Sequence, residues 1–205
     1  MKPIKEYSTV SNSPQLFFWG GYDAVVKYDC SCSAVVTSAG LVFIDPLPLA
    51  PEVLESLLVE ASVPPAAVIL TSGNHQRWSV ELAEQLSLPI YAPVGAGEEI
   101  IAAHFYEPGD DVMGLHSIAL PGFGPGETAF CDEERKILIL GDTLINAGAA
   151  GLLLLPKKYC TDHRLAMKSL SKLKEIAPEI LITAHGLPIV GNAAVRLANA
   201  CALSQ

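Results

Sequence analysis

Short apolar runs alternate with breaks rich in glycine and proline along the whole chain. Runs rich in β-branched and aromatic residues predict strands over 16–19, 23–28, 33–37 and 41–44, the last two parted by the turn Ser38-Ala39-Gly40. Pro51 suits the first position of a helix whose apolar stripe carries Val53, Leu54, Leu57 and Leu58. A strand over 66–70 runs into the loop "TSGNHQRW", and Ser79 suits the N-cap of the helix behind it. A strand over 89–92 and a helix over 97–104 complete the first half. In the second half, strands are expected over 114–120, 128–131 and 136–140. A helix capped by Asp162 and reaching about 176, a strand over 180–184 and a last helix opening at Asn192 follow. Strands and helices in two such halves suggest two sheets packed face to face with helices outside.

Composition narrows the picture. A chain of 205 residues, 50% hydrophobic and 17% charged, buries one sizeable core and is expected to form a single domain over 1–205. Its formal net charge of −9, with no basic stripe, argues against nucleic acid as a partner. The most apolar patch, 147–155, is far shorter than the ~20 residues of a membrane span, and "MKPIKEYSTVSNSPQ" lacks the apolar stretch of a signal peptide. Five cysteines form no disulfide framework. The expectation is a cytoplasmic protein without membrane association, its 50% apolar content leaving room for a homodimer face.

Polar residues stand where apolar strands end: the loop from Thr71, Glu127 in "PGET", Asp142 in "LGDT" and His185 in "AHG". Taken in that order they resemble the metallo-β-lactamase fold superfamily, whose early Asp is matched by Asp45 in "VFIDP". Its pattern is an early Asp, Thr-His-x-His-x-Asp-His, Pro-Gly-His-Thr, Gly-Asp and a final His beside Gly. The resemblance runs from about Leu16 to Ala194 and implies a four-layer αββα sandwich with the site along one edge.

The ligands implied by the family do not all carry over. Ser72, Asn74 and Glu127 stand at the first metal, and Gln76, Arg77 and His185 at the second, with Asp142 between. Hydroxyl and amide groups are weak zinc ligands, and a guanidinium has no free lone pair and repels a metal. The expectation is a superfamily protein without the dinuclear zinc site or any required cofactor, binding a small polar or anionic molecule or hydrolysing without metal. The alternatives are a hydrolase using one divalent ion (zinc, iron or manganese) on Glu127, Asp142 and His185, and a non-catalytic interaction protein. Glu127 and Asp142 still converge, and two carboxylates ~4 Å apart repel by about 4 kcal/mol at an effective dielectric of 20. Arg77 is expected to answer that repulsion by bridging them. His75, next to Asn74 in an extended loop, is expected to face away as a structural or pocket-edge residue.

Overall fold

The computed structural model describes residues 1–202. The first sheet holds, in spatial as in chain order, β1 (Ser8–Val10), β2 (Ser13–Asp23), β3 (Tyr28–Thr37), β4 (Gly40–Ile44), β5 (Pro65–Ile69), β6 (Ile90–Pro93) and β7 (His104–Tyr106). β1 to β4 pair antiparallel; β4 to β7 pair parallel. Parallel pairing requires crossovers, and α1 (Pro51–Ala61) and α2 (Ser79–Leu86) supply two of them. The second sheet starts with β8 (Asp111–Val112), β9 (Leu115–Ala119), β10 (Thr128–Asp132) and β11 (Ile137–Ile139). After the hairpin β12 (Leu144–Asn146) and β13 (Leu152–Leu154), it is completed by β14 (Ile180–Ile182) and β15 (Ile189–Val190). Its spatial order is β15-β14-β11-β10-β9-β8. α3 (His163–Leu170) and α4 (Ala193–Ala202) belong to this half.

Three apolar cores lie between four layers. Phe17, Trp19, Leu41, Phe43, Val68 and Leu70 pack with Leu54, Leu57 and Leu82 of the first two helices. Their strand neighbours Leu16, Phe18, Val42, Ile44 and Ile69 point the other way and meet Ile137, Ile139, Ile180 and Ile182 of the second sheet. Leu138, Leu140 and Leu181 pack with Ala166, Leu170 and Leu197 of the last two helices. Period-two alternation therefore sorts one strand sequence into two cores. Each large side chain buried this way contributes about 1.5–3 kcal/mol. The result is the αββα sandwich.

Local differences from the expected elements have local causes. Residues 24–27 form a turn, not strand, because the Asp23 carboxylate accepts from Val25 N at 2.7 Å and Lys27 adopts φ +57°. No helix forms over 97–104: Gly95 and Gly97 take φ of +87° and +118°, and His104 starts β7 beside β6. Ser79 does not cap α2; it is the first helical residue, and Trp78 holds the cap position without a side-chain bond. Asp162 does cap α3, accepting from Leu165 N at 3.0 Å, but the helix ends at Leu170 and a 3-10 turn continues it. Among the described residues no helix is long and apolar enough to cross a membrane.

Candidate functional site

The polar strand ends meet at one edge of the sandwich. Asp45 follows β4 with φ +49°. Its Oδ1 accepts from Thr71 N at 2.8 Å and its Oδ2 from Thr71 Oγ1 at 2.6 Å, which binds the end of β4 to the end of β5. Ser72 then caps a 3-10 turn over Gly73–His75, accepting from Asn74 N at 3.3 Å. Gly73 is required there, because a Cβ would overlap the carbonyl of Ala96. The turn leaves Asn74 exposed and drives His75 inward to 3% exposure.

His75 is the centre of the cluster. Its Nδ1 lies 2.8 Å from Asp45 Oδ2 and its Nε2 lies 3.1 Å from Asp142 Oδ1. His185 Nε2 approaches the same Asp142 oxygen at 3.1 Å, while His185 Nδ1 donates to Asp29 O at 2.7 Å and the ring stands edge-on to Tyr28. The contacts to Asp142 are charge contacts rather than aligned hydrogen bonds, so Oδ1 is a buried oxygen without a hydrogen bond. Asp45, His75, Asp142 and His185 thus form a chain of alternating charge.

Each ionisation follows from its neighbours. Burial opposes a charged His75, but Asp142, helped by Asp45, outweighs burial and Arg77 and raises its pKa to about 10. Burial likewise opposes a charged His185, and Asp142 and Cys30 raise it to about 9. Burial also disfavours an ionised Asp142, yet His75 and His185 hold its carboxyl well below the usual range. Glu127 sits outside the chain. Burial, reinforced by Asp142, raises its pKa to about 7 against the pull of His75. Its Oε1 accepts from Thr143 Oγ1 at 3.2 Å, and its backbone is placed by the neighbouring bond from Thr128 N to Thr71 O at 2.9 Å. Gly141 makes room for it, since a Cβ there would stand 2.5 Å from Glu127 Oε1.

Two expectations are overturned. Arg77 does not bridge Glu127 and Asp142. Held at φ +42°, it donates from Nη1 to Ser31 O at 2.8 Å and to Asp45 O at 3.3 Å. His75 does not face away: the loop is a 3-10 turn, so the in-out alternation of an extended chain does not apply, and His75 rather than Arg77 is the cation between carboxylates, the pair being Asp45 and Asp142. Gln76 accepts from Ile101 N at 3.4 Å. Asp45, read in the sequence as a family landmark, is a full member of the cluster. The capping Ser72 before Gly73 was the signal for a tight turn.

At the positions that the resemblance assigns to two metals, several donors differ from histidine and carboxylate. Both ring nitrogens of His75 face carboxylates, Arg77 stands at one ligand position, and Asn74 at another is exposed. Among the described residues no three His, Cys, Asp or Glu side chains are arranged to hold a metal ion.

Comparison with known proteins agrees with this architecture. The family model described as metallo-beta-lactamase superfamily matches residues 9–203. A curated relative, the probable metallo-hydrolase YflN of Bacillus subtilis, is 31% identical over 84 residues, which is 36% of this chain and 32% of that protein. The DIM-1 metallo-beta-lactamase crystal structure superposes with a TM-score of 0.74 at 13% identity, over 98% of both chains. The protein TTHA1623, solved in a di-iron-bound form, superposes with a TM-score of 0.69 at 23% identity, over 87% of this chain and 98% of its own.

Proposed function

Because the chain belongs to the metallo-beta-lactamase superfamily, we propose that it works there without the dinuclear zinc centre, binding a small polar molecule and, where it turns one over, hydrolysing it by acid–base chemistry. The observation that carries this reading is His75 between Asp45 and Asp142, with both ring nitrogens committed to carboxylates. An imidazolium there supplies the positive charge the carboxylates require, and leaves neither nitrogen a lone pair for an ion. Glu127 is the best-matched proton-transfer group, because a pKa of about 7 places both of its forms within reach at neutral pH.

A second reading has one observation in its favour. Glu127 Oε2 is buried without a hydrogen bond, and Asp142 Oδ1, although 3.1 Å from His75 Nε2 and from His185 Nε2, accepts no aligned hydrogen bond either. With His185 they would supply three protein ligands, a valid catalytic count with water, once these side chains turned toward one divalent ion. Elemental analysis of protein purified without chelator or affinity tag separates the two. The zinc-free reading expects well under one equivalent of zinc, iron or manganese. A stoichiometric ion that is lost in Glu127→Gln overturns it in favour of the mononuclear hydrolase.

A further inference from the structure

The two outer helical layers of the sandwich carry opposite charge. Glu52, Glu55 and Glu60 of α1 and Glu81 and Glu84 of α2 are exposed, and neither helix has a Lys or Arg. On the other side, Lys157 and Lys158 lead into α3, which exposes Arg164 and Lys168, and the 3-10 turn after it exposes Lys172 and Lys174. Residues 157–174 thus hold six of the chain's 13 Lys and Arg, with Asp162 as their sole acidic residue. The Asp162 carboxylate is occupied as the cap of α3. Among the described residues none of the six cations is in an ion pair. Arg164, Lys168 and Lys172 stand four apart, so α3 and the turn that continues it set them in a row. That row revises the absence of a basic stripe expected from the chain as a whole. Like charges at this spacing weaken a helix, so the row is not explained by the fold. Leu165, 40% exposed, lies beside Arg164 and Lys168, and Tyr159, 60% exposed, precedes them.

We propose that this basic layer docks on an anionic phospholipid bilayer, with Leu165 and Tyr159 supplying apolar contact at the headgroups. It replaces the expectation of no membrane association. Four to eight cations on one helical face suffice to draw a protein to such a surface, each adding about fivefold to the partition. Ala166, Leu170 and Leu173 keep the apolar side of the segment in the core, so the contact is superficial and needs no refolding. The acidic layer does not prevent it. With layers about 10 Å apart, α1 and α2 stand roughly 30 Å behind the basic face. That is several times the Debye length of about 8 Å, so the basic face governs at contact. Nucleic acid is served less well: Leu165 offers a base no π face, and Lys158 Nζ already lies over the Tyr159 ring at 4.6 Å. A second copy presenting its α1 and α2 would match the charge. The two layers face opposite ways, however, so that head-to-tail contact does not close and leads to filaments.

Co-sedimentation of the full chain with large unilamellar vesicles tests this. Vesicles of equal parts phosphatidylglycerol and phosphatidylcholine are expected to bind it at about 0.1 M salt and to release it at about 1 M, as the Debye length falls from about 10 Å to about 3 Å. Phosphatidylcholine alone should bind at least about tenfold less. The double variant Arg164→Gln, Lys168→Gln should weaken binding to the anionic vesicles roughly 25-fold, about fivefold for each cation lost. Both side chains are exposed, so its melting temperature should match the parent. Leu165→Gln should weaken binding without changing its salt dependence. Lys5→Gln removes a cation on the α1 side, where Ile4 bridges to Leu49 and Tyr7 bonds to Glu60, and should bind as the parent does. The proposal is overturned if the double variant binds like the parent, if Lys5→Gln loses as much, or if phosphatidylcholine alone binds equally well. Self-association without vesicles that the double variant abolishes would give the face to a second copy. Tighter binding of a short RNA duplex than of the vesicles at the same salt would give it to nucleic acid. Either result overturns the bilayer.

Discussion

Replacing His75 with Gln removes the one cation that touches both Asp45 and Asp142 while keeping a side chain of similar reach. Asp45 and His75 are each 3% exposed, so water cannot readily take over the lost contact. Breaking a buried pair by removing one partner costs about 3–5 kcal/mol. For a chain of this length, at about 2–4 °C per kcal/mol, the melting temperature should fall by roughly 6–20 °C at neutral pH. The pH dependence makes the test specific. A histidine whose folded pKa is raised from 6.5 to about 10 contributes stability that is complete below 6.5 and lost as pH rises through about 10. The gap between parent and variant should therefore be full up to about pH 6.5 and close at up to about 1.4 kcal/mol per pH unit on the way to pH 10. Urea unfolding of both proteins across that range measures it, and titrating groups remote from His75 cancel in the difference. A gap below about 1 kcal/mol at pH 7 would refute the ion chain, since that is the range of an exposed pair. So would a gap that stays constant to pH 10.

Arg77→Ala should destabilise by about 1.5–3 kcal/mol, the range for hydrogen bonds from a charged donor, because Ser31 O and Asp45 O lose theirs. Added zinc should restore none of it, and a zinc-dependent rise in melting temperature would return Arg77 to the role of metal substitute. Glu127→Gln tests the raised carboxyl. Stability from its neutral form is complete below 4.5 and lost as pH rises through about 7, so the variant should match the parent at low pH and exceed it above pH 7 by about 1–3 kcal/mol. A variant that is less stable than the parent at pH 8 would contradict the burial of that carboxyl.

The sandwich was legible because its signal is distributed. Alternation in β2, β4 and β5 and the spacing of Leu54, Leu57 and Leu82 each state which face is buried. Elements of two or three residues, such as β8 and β12, carry too little pattern to be read, and β7 was hidden in a stretch with helical spacing. At the site, Glu127, Asp142 and His185 were found because each directly follows an apolar strand or a Gly-rich loop. The roles of His75 and Arg77 were exchanged for a reason that lies in three dimensions. Whether a loop residue points inward depends on the turn, and the turn depends on the contact of Gly73 with Ala96, which lies 23 positions away in the sequence. Arg77 is the cation that the loop sequence offers, but its φ of +42° goes with a side chain bonded to the carbonyls of Ser31 in β3 and of Asp45 just after β4.

The alternating order of the ion chain also decides how the protein looks from a distance. Asp45, His75, Asp142 and His185 sum to zero, and an ionised Glu127 balances Arg77. Beyond a Debye length of about 8 Å such a set projects almost no field. An approaching molecule instead meets the acidic remainder of the surface. The formal −9 counts histidines as neutral, and the two protons on His75 and His185 bring it to −7. Diffusional encounter is thus biased toward cations and against anions by residues remote from the site, and that bias weakens as salt is added.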